Sequence, residues 1–391
     1  MAADILPASS QMVDEQYLAG CAYVVKGDYN KAVESFSLAI MHNNADEQLY
    51  IKRGASLLKV NDIDLAVADF SEANLLNEGV ADLWLARSFA ISDDNNKAML
   101  FLKKHLNSAF RLPEDSIKKD PTFDKLQVTP EWYSLWQQDL YSATEKVAAE
   151  VHYYAKKKLY DQAINLLDDE VAKSPVDPNL AFLRGRIFLL QGNYAAAIAD
   201  FSTALNVDKS IASGYSQRGL AYLKAGRYKD AVNDFNKALK EEPGNFNLYR
   251  QRAEAFAGQQ AWGAAIKELS FIMKYFENDL QANFQCGEYY FKSEDYINAL
   301  KCFNRNLKED PNNGVYYKAR GKTYLKTATY RYAISDLSMS LDLQPGDAET
   351  WMYLGIARIQ SGDKENGCSD LEKAQRMGST EALRYIIESC R

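Results

Sequence analysis

Small and large apolar residues recur along most of this chain at the spacing of one helix face. In the stretch from Tyr228 to Ala238, residues Ala231, Phe235 and Ala238 fall at i, i+4 and i+7. Ala231 permits close approach there, and Phe235 supplies most of the buried area, worth about 2–3 kcal/mol when fully buried. Just upstream, Gly219-Leu-Ala-Tyr-Leu places a residue without a side chain where two helices meet, with Tyr222 one turn later beside it. Gly226 ends the first helix and Pro243-Gly244 the second. The pattern predicts a pair of antiparallel helices.

The pair repeats. Gly20 and Gly54, then Gly185, Gly219, Gly287, Gly321 and Gly355, stand 34 residues or twice 34 apart within each block, with Ser88 and Ala253 filling two gaps. Twelve residues after the marks come Ala32, Ala66, Ala197, Ala231, Ala265, Ala299 and Ala333, and Ala163 extends that series upstream. Four further on sits a large apolar residue, such as Phe36, Phe70, Leu167, Phe201, Phe303 or Leu371. Pro175, Pro243, Pro311 and Pro345 close several units. A single pair cannot bury its own apolar face, so neighbours must stack.

These residues resemble the tetratricopeptide repeat (TPR) family. Its W-x2-L-G element stands intact as Trp351, Leu354 and Gly355, and its Tyr three residues after the Gly stands as Tyr23, Tyr222, Tyr290 and Tyr324. Gly192-Asn-Tyr194 and Gly226-Arg-Tyr228 match the turn between paired helices. The likeness covers about residues 12–378 in about nine or ten units, with one interruption. It implies an all-α fold: a right-handed TPR helix-turn-helix solenoid in two blocks with a C-terminal capping helix.

The interruption lies between Ser88 and the equivalent Val151, 63 residues on, and holds Pro113, Pro121 and Pro130. We expect a flexible tail over 1–11, an N-terminal block over 12–110 whose third unit is degenerate, and a proline-containing linker with an aromatic helix (Trp132, Tyr133, Leu135, Trp136, Leu140) over 111–145. A C-terminal block of about seven units over 146–378 and a capping helix over 379–391 complete the expected division. The alternative for the interruption is a degenerate repeat that keeps the superhelix continuous. The C-terminal end resembles exported TPR proteins of the Bacteroidota, which carry a Cys in each of two places matched by Cys368 and Cys390. That likeness implies a disulfide holding the cap down; the alternative is two thiols buried in a helix interface.

Charge refines the picture. The net charge of -7 argues against a general nucleic-acid binder. Residues 1–140 hold 13 Lys and Arg against 21 Asp and Glu, and the remainder holds 33 against 32, so the two parts present different surfaces. No run of eighteen apolar residues predicts a transmembrane helix. The opening Met1-Ala-Ala-Asp-Ile-Leu-Pro lacks the basic and apolar regions of a signal peptide. The family likeness nonetheless points to the bacterial periplasm or envelope, with the cytoplasm as the alternative. Cys286 and Cys302 read as packing residues on paired helices, since no positioned base accompanies them.

No constellation for catalysis stands in the chain: there is no GxSxG, P-loop, GxGxxG after a strand, CxxC or HExxH. The expectation is a non-enzymatic protein-interaction scaffold, without cofactor or metal, that takes a protein or peptide in the concave groove, as part of an envelope-associated assembly. The resemblance places the groove on the first helix of each unit. There it offers Phe182 and Arg186, then Arg250, then Phe284 and Phe291, then Lys318, Lys322 and Lys326, then Met352. Aromatic anchors beside lysines suit an acidic peptide carrying apolar side chains. The alternatives are a nucleic-acid-binding helical repeat and a regulatory or co-chaperone adaptor. The carboxylate clamp of chaperone-binding relatives is missing, its positions holding Ser216, Leu220, Gln251, Gln281 and Gln285.

Overall fold

The computed structural model describes residues 8–211 and 213–390, and these form 23 α-helices, one 3-10 turn and no strand. Residues 1–7 of the expected tail lie outside the described residues, while 8–11 belong to the first helix, Ala8–Lys26. The chain divides into two compact units, Met1–Leu248 and Tyr249–Arg391.

Within each unit, helices alternate as antiparallel pairs, for example Pro178–Gln191 with Tyr194–Val207 and Gly314–Lys326 with Tyr330–Leu343. Two local devices recur in these hairpins. In several pairs the residue before the second helix caps it: the side chains of Asp28, Asn193 and Asp295 accept backbone N–H bonds from Lys31, Ala196 and Asn298, whereas Leu159, Arg227, Ala261 and Thr329 make no such bond. One or two residues after the first helix of many pairs ends, the backbone takes a positive φ, at Gly27, Gly192, Gly226 and Gly362 and, on the same 34-residue grid within each block, at Asn61, Lys158, Gln260, Glu294 and Ala328. Glycine enters that region without steric cost, so Ala328 at φ 55° carries strain that its glycine counterparts avoid.

The core of each pair is one contact sixteen residues long in sequence. A Cβ on Gly20, Gly54, Gly185, Gly219 or Gly287 would come within 3 Å of a ring carbon of Phe36, Phe70, Phe201, Phe235 or Phe303 respectively. Each of these rings is fully buried. The missing side chain is therefore the space that the ring fills.

A second sixteen-residue relationship runs beside the first. Arg53, Arg184, Arg218, Arg252 and Arg320 reach Asp69, Asp200, Asp234, Glu268 and Asp336 on the partner helix. Four of these guanidinium groups also bond back to the second helix of the preceding pair, at Ser37, Asp168, Ser202 and Asn304. Each such arginine ties three helices together. Its buried carboxylate partner is satisfied by two parallel N–H bonds in the pairs of Arg53, Arg184, Arg218 and Arg320.

Residues 111–141 fold onto the third pair. Ile117, Phe123, Leu126, Trp132, Leu135 and Tyr141 join Leu83, Ala86, Leu102 and Leu106 in one core. The aromatic helix spans Pro130–Trp136, and Lys118 lies 4.8 Å from the Trp136 ring. Arg87 belongs to the ladder position of this pair, but Lys103 stands sixteen residues on where an acid would be needed. Arg87 instead bonds Asp120 of the non-repeat segment at 2.7 Å.

At the C-terminal end, the helix Thr380–Ser389 covers the last pair. Ala382 is its only fully buried side chain, and Cys390 at its end is joined to Cys368 by a disulfide. Closing a loop of 22 residues restrains the unfolded chain by about 3 kcal/mol. That restraint adds to the packing of Ala382, Tyr385 and Ile386 against Met352, Leu371 and Ala374.

Candidate functional site

The residues expected in the groove divide into those the fold brings together and those it uses otherwise. In the unit Tyr249–Arg391, three successive first helices, Leu280–Lys292, Gly314–Lys326 and Ala348–Gln360, align their side chains in one row. Phe284 lies 5.1 Å from Tyr316, ring to ring, and 5.7 Å from Phe303 beneath it. Lys322 Nζ sits between the Phe291 and Tyr353 rings, 6.0 and 4.8 Å from their centroids. Phe284 and Phe291 are half-buried, packed on a core of Ala299, Phe303 and Ala319.

Lys318 and Lys322, read from the sequence as exposed cations, are matched by carboxylates. Lys318 Nζ stands 2.9 Å from Asp347 and 3.1 Å from Glu349, and Lys322 Nζ stands 3.3 Å from Glu349. Burial pushes the Lys318 ammonium down, but its bonds to Asp347 and Glu349 outweigh that and hold it above the ordinary lysine value. Burial likewise opposes the charge of Glu349, and the two lysines more than offset it, so its carboxyl is held below the usual range. The row is an aromatic wall with internally paired charge. Lys326 is exposed in the last turn of its helix. Arg250 is half-buried and pairs with Asp279.

Met352 does not line a groove. It is 1% exposed and packs with Leu371, Ala374 and Ala382 under the terminal helix, where Ser379 Oγ donates to its sulfur at 3.7 Å. The same register position is half-buried at Phe284 and Lys318 of the preceding repeats and is fully covered here by the helix Thr380–Ser389.

In the unit Met1–Leu248, Phe182 is half-buried, its ring 5.5 Å from Phe201. Arg186, one turn on, is exposed and lines a cleft of about 640 Å³ between the helix Glu114–Lys118 and the helices Ala143–Lys156 and Pro178–Gln191. Sequence reasoning missed this cleft because one wall comes from the aperiodic segment. It also missed the arginine ladder, whose signal stands in plain view: Arg precedes Gly at 53, 184, 218 and 320, and Asp precedes the large apolar residue at 69, 200, 234 and 336. Cys286 and Cys302 occupy the ladder positions of their own pair. Burial pushes their thiols up to about 12 and about 11, a setting for packing and not for nucleophilic chemistry.

Among the described residues, no group of three or more His, Cys, Asp or Glu side chains is arranged to hold a metal ion. No helix among them is long and apolar enough to cross a membrane.

Stacked antiparallel helix pairs, five of them built on a glycine–phenylalanine contact, define an all-α repeat protein. Two family models agree with that class: one described as tetratricopeptide repeat matches residues 212–245, and one described as TPR repeat matches 185–226. The chain is a tetratricopeptide repeat protein. Human serine/threonine-protein phosphatase 5 is 39% identical over 54 residues, which are 14% of this chain and 11% of that protein. RNA polymerase II-associated protein 3 of Xenopus tropicalis is 31% identical over 87 residues, 22% of this chain and 13% of that protein. The chain thus spans little more than a tenth of these relatives' length. Among solved structures, the C-terminal part of a TPR repeat-containing protein from Cytophaga hutchinsonii superposes with a TM-score of 0.50 at 17% identity, covering 61% of this chain and 98% of that one. A tetratricopeptide repeat protein from Parabacteroides merdae gives 0.48 at 20% identity, covering 62% and 97%.

Proposed function

We propose that the chain is a non-enzymatic scaffold that binds a segment of another protein along the first helices of its repeats. The observation that carries this reading is the row of half-exposed Phe284, Tyr316, Phe291 and Tyr353 across three consecutive repeats, with Lys322 between the last two rings. Large, stiff side chains held on a rigid backbone lose little entropy on binding and bury much apolar area. Because Asp347 and Glu349 already neutralise Lys318 and Lys322, the wall selects for apolar side chains more than for acidity. Arg250, 34 residues before Phe284, and Lys326, one turn after Lys322, are the further cations that this reading assigns to the face. The likeness to exported TPR proteins supports a place for such a complex in the cell envelope.

The test is a random peptide library selected on the full chain, followed by photo-crosslinking from a benzoylphenylalanine placed at Phe291. The same reporter at Leu75, an exposed residue of the other unit, is the control. Selected peptides should crosslink from position 291 and not from position 75. A library that yields no saturable binder, or binders that never crosslink from 291, sinks the reading.

A further inference from the structure

The cleft beside Arg186 has a chemistry of its own. Its floor is aliphatic: Val151 and Ile187 are buried at the base, and Leu183 and Leu190 stand higher, Leu190 largely exposed. Its rim is basic. Lys119, Lys156, Lys157 and Arg186 border it, with His152 beside them and Asp115 as the one carboxylate. Asp115 is already bound by Lys119 one turn along, which holds its carboxyl below the usual range. Lys156, Lys157 and Arg186 are exposed and have no carboxylate partner among the described residues. In a chain of net charge -7, three unmatched cations around one aliphatic floor reverse the average surface.

We propose that this cleft is a docking site for an acidic segment of another protein, one that seats an aliphatic side chain on Val151, Leu183, Ile187 and Leu190 while its carboxylates meet Lys156, Lys157 and Arg186. The proposal rests on the reading of the chain as a protein-binding scaffold and names the partner chemistry at a second place on it. Charge complementarity selects the occupant: a cationic or neutral segment leaves the rim unmatched, whereas carboxylates gain ion pairs near a surface of reduced dielectric. The aliphatic floor adds the apolar term that a purely electrostatic contact lacks. One wall comes from the helix Glu114–Lys118 of the non-repeat segment, so an intact repeat array alone does not build this site. That segment thereby gains a role beyond joining helix pairs.

The experiment is fluorescence anisotropy on the full chain with three labelled peptides of equal length. The first is Glu- and Asp-rich with a central leucine pair, the second replaces the acids with lysine, and the third replaces the leucines with serine. The first should bind saturably, roughly tenfold tighter than either of the others, and should weaken as salt rises. The triple variant K156E/K157E/R186E should bind it at least roughly tenfold less tightly, and Leu190→Ser roughly fivefold less tightly, with helicity unchanged. All four changed residues are exposed, so the fold is retained and the result is readable. Absence of saturable binding, equal binding by the triple variant, equal binding of the serine peptide, or tighter binding of a single-stranded RNA of the same charge overturns the inference. Library peptides that still crosslink from position 291 would then leave the scaffold reading standing without this site.

Discussion

Arg218 and Asp234 form a two-pronged ion pair, Nε to Oδ2 at 2.6 Å and Nη2 to Oδ1 at 3.0 Å, with both side chains largely removed from water. The third arm of the guanidinium donates to Ser202 Oγ at 3.2 Å on the preceding pair. Bonding to Asp234 raises the arginine further above its ordinary value than burial lowers it, so the group is charged at every accessible pH.

Asp234→Ala should therefore cost about 3 kcal/mol, because it strands a buried cation. Replacing both partners with leucine should recover most of that loss, since the desolvation of two charges no longer has to be offset. Denaturant melts of the single and double variants measure this. A double variant no more stable than Asp234→Ala would show that the pair contributes net stability and not only registry.

Gly287→Ala should destabilise by about 1–3 kcal/mol through overpacking. Its Cβ would stand 2.5 Å from Phe303 Cε1, and that ring is fully buried with nowhere to turn. Phe303→Leu in the same chain should restore most of the loss. In the other pairs phenylalanine occurs only opposite glycine, whereas leucine stands opposite Val151 and Ala253 as well as opposite Gly321 and Gly355, so leucine tolerates the added Cβ. Thermal melts of the two single variants and the double variant decide it, and the absence of rescue would mean that the backbone has shifted instead.

The 34-residue grid was legible because each repeat solves one packing problem in the same way, so Gly219 with Phe235 announces Gly287 with Phe303. What failed was the assignment of exposure. Met352 lies in register with groove residues of interior repeats, but register carries no information about the terminal helix that buries it. Lys318 and Lys322, expected as free cations, are paired with carboxylates. Their partners Asp347 and Glu349 are the cap and the second residue of the next repeat's first helix, which a position-by-position reading of one helix does not bring near. The cleft at Arg186 was hidden because Pro113, Asp115 and Lys119 belong to the segment where the period stops.

His105 sets an acid limit on the third pair. It is 3% exposed, and its Nε2 accepts the backbone N–H of Leu112 at 3.0 Å, which requires the neutral ring. Burial, with the nearby Arg87 charge second, lowers its pKa from 6.5 to about 4. Between those values the unfolded chain holds a proton that the folded chain does not, so stability is complete above pH 6.5 and falls as the pH drops towards 4. The loss from this one group is roughly 3 kcal/mol by pH 4. His105→Gln should lose less stability than the wild type over that interval, and parallel stability–pH curves for the two proteins would remove His105 as the cause.

The paired lysines make the opposite kind of expectation, one about charge reversal. With Lys318 and Lys322 changed to glutamate, four carboxylates would share the space now held by two cations and two anions. Like charges in a partly buried setting repel more strongly than they do in bulk water, and the Asp347 cap of the helix Ala348–Gln360 would lose its counter-ion. The double reversal should accordingly lower stability by about 1–2 kcal/mol, more than exposed lysines would cost. It should also raise the carboxyl of Glu349, which the two lysines now hold down against burial. Glu349→Gln separates the charge effect from the packing effect, because it frees Lys322 while leaving Lys318 bound to Asp347. That variant should cost about 0.5 kcal/mol and should strengthen capture of acidic library peptides at the Phe291 face. Hydrogen exchange across residues 347–353, read beside peptide binding, tests both arms: unchanged protection in the double reversal would mean that the lysines are solvated and the ion pairs contribute nothing to the wall.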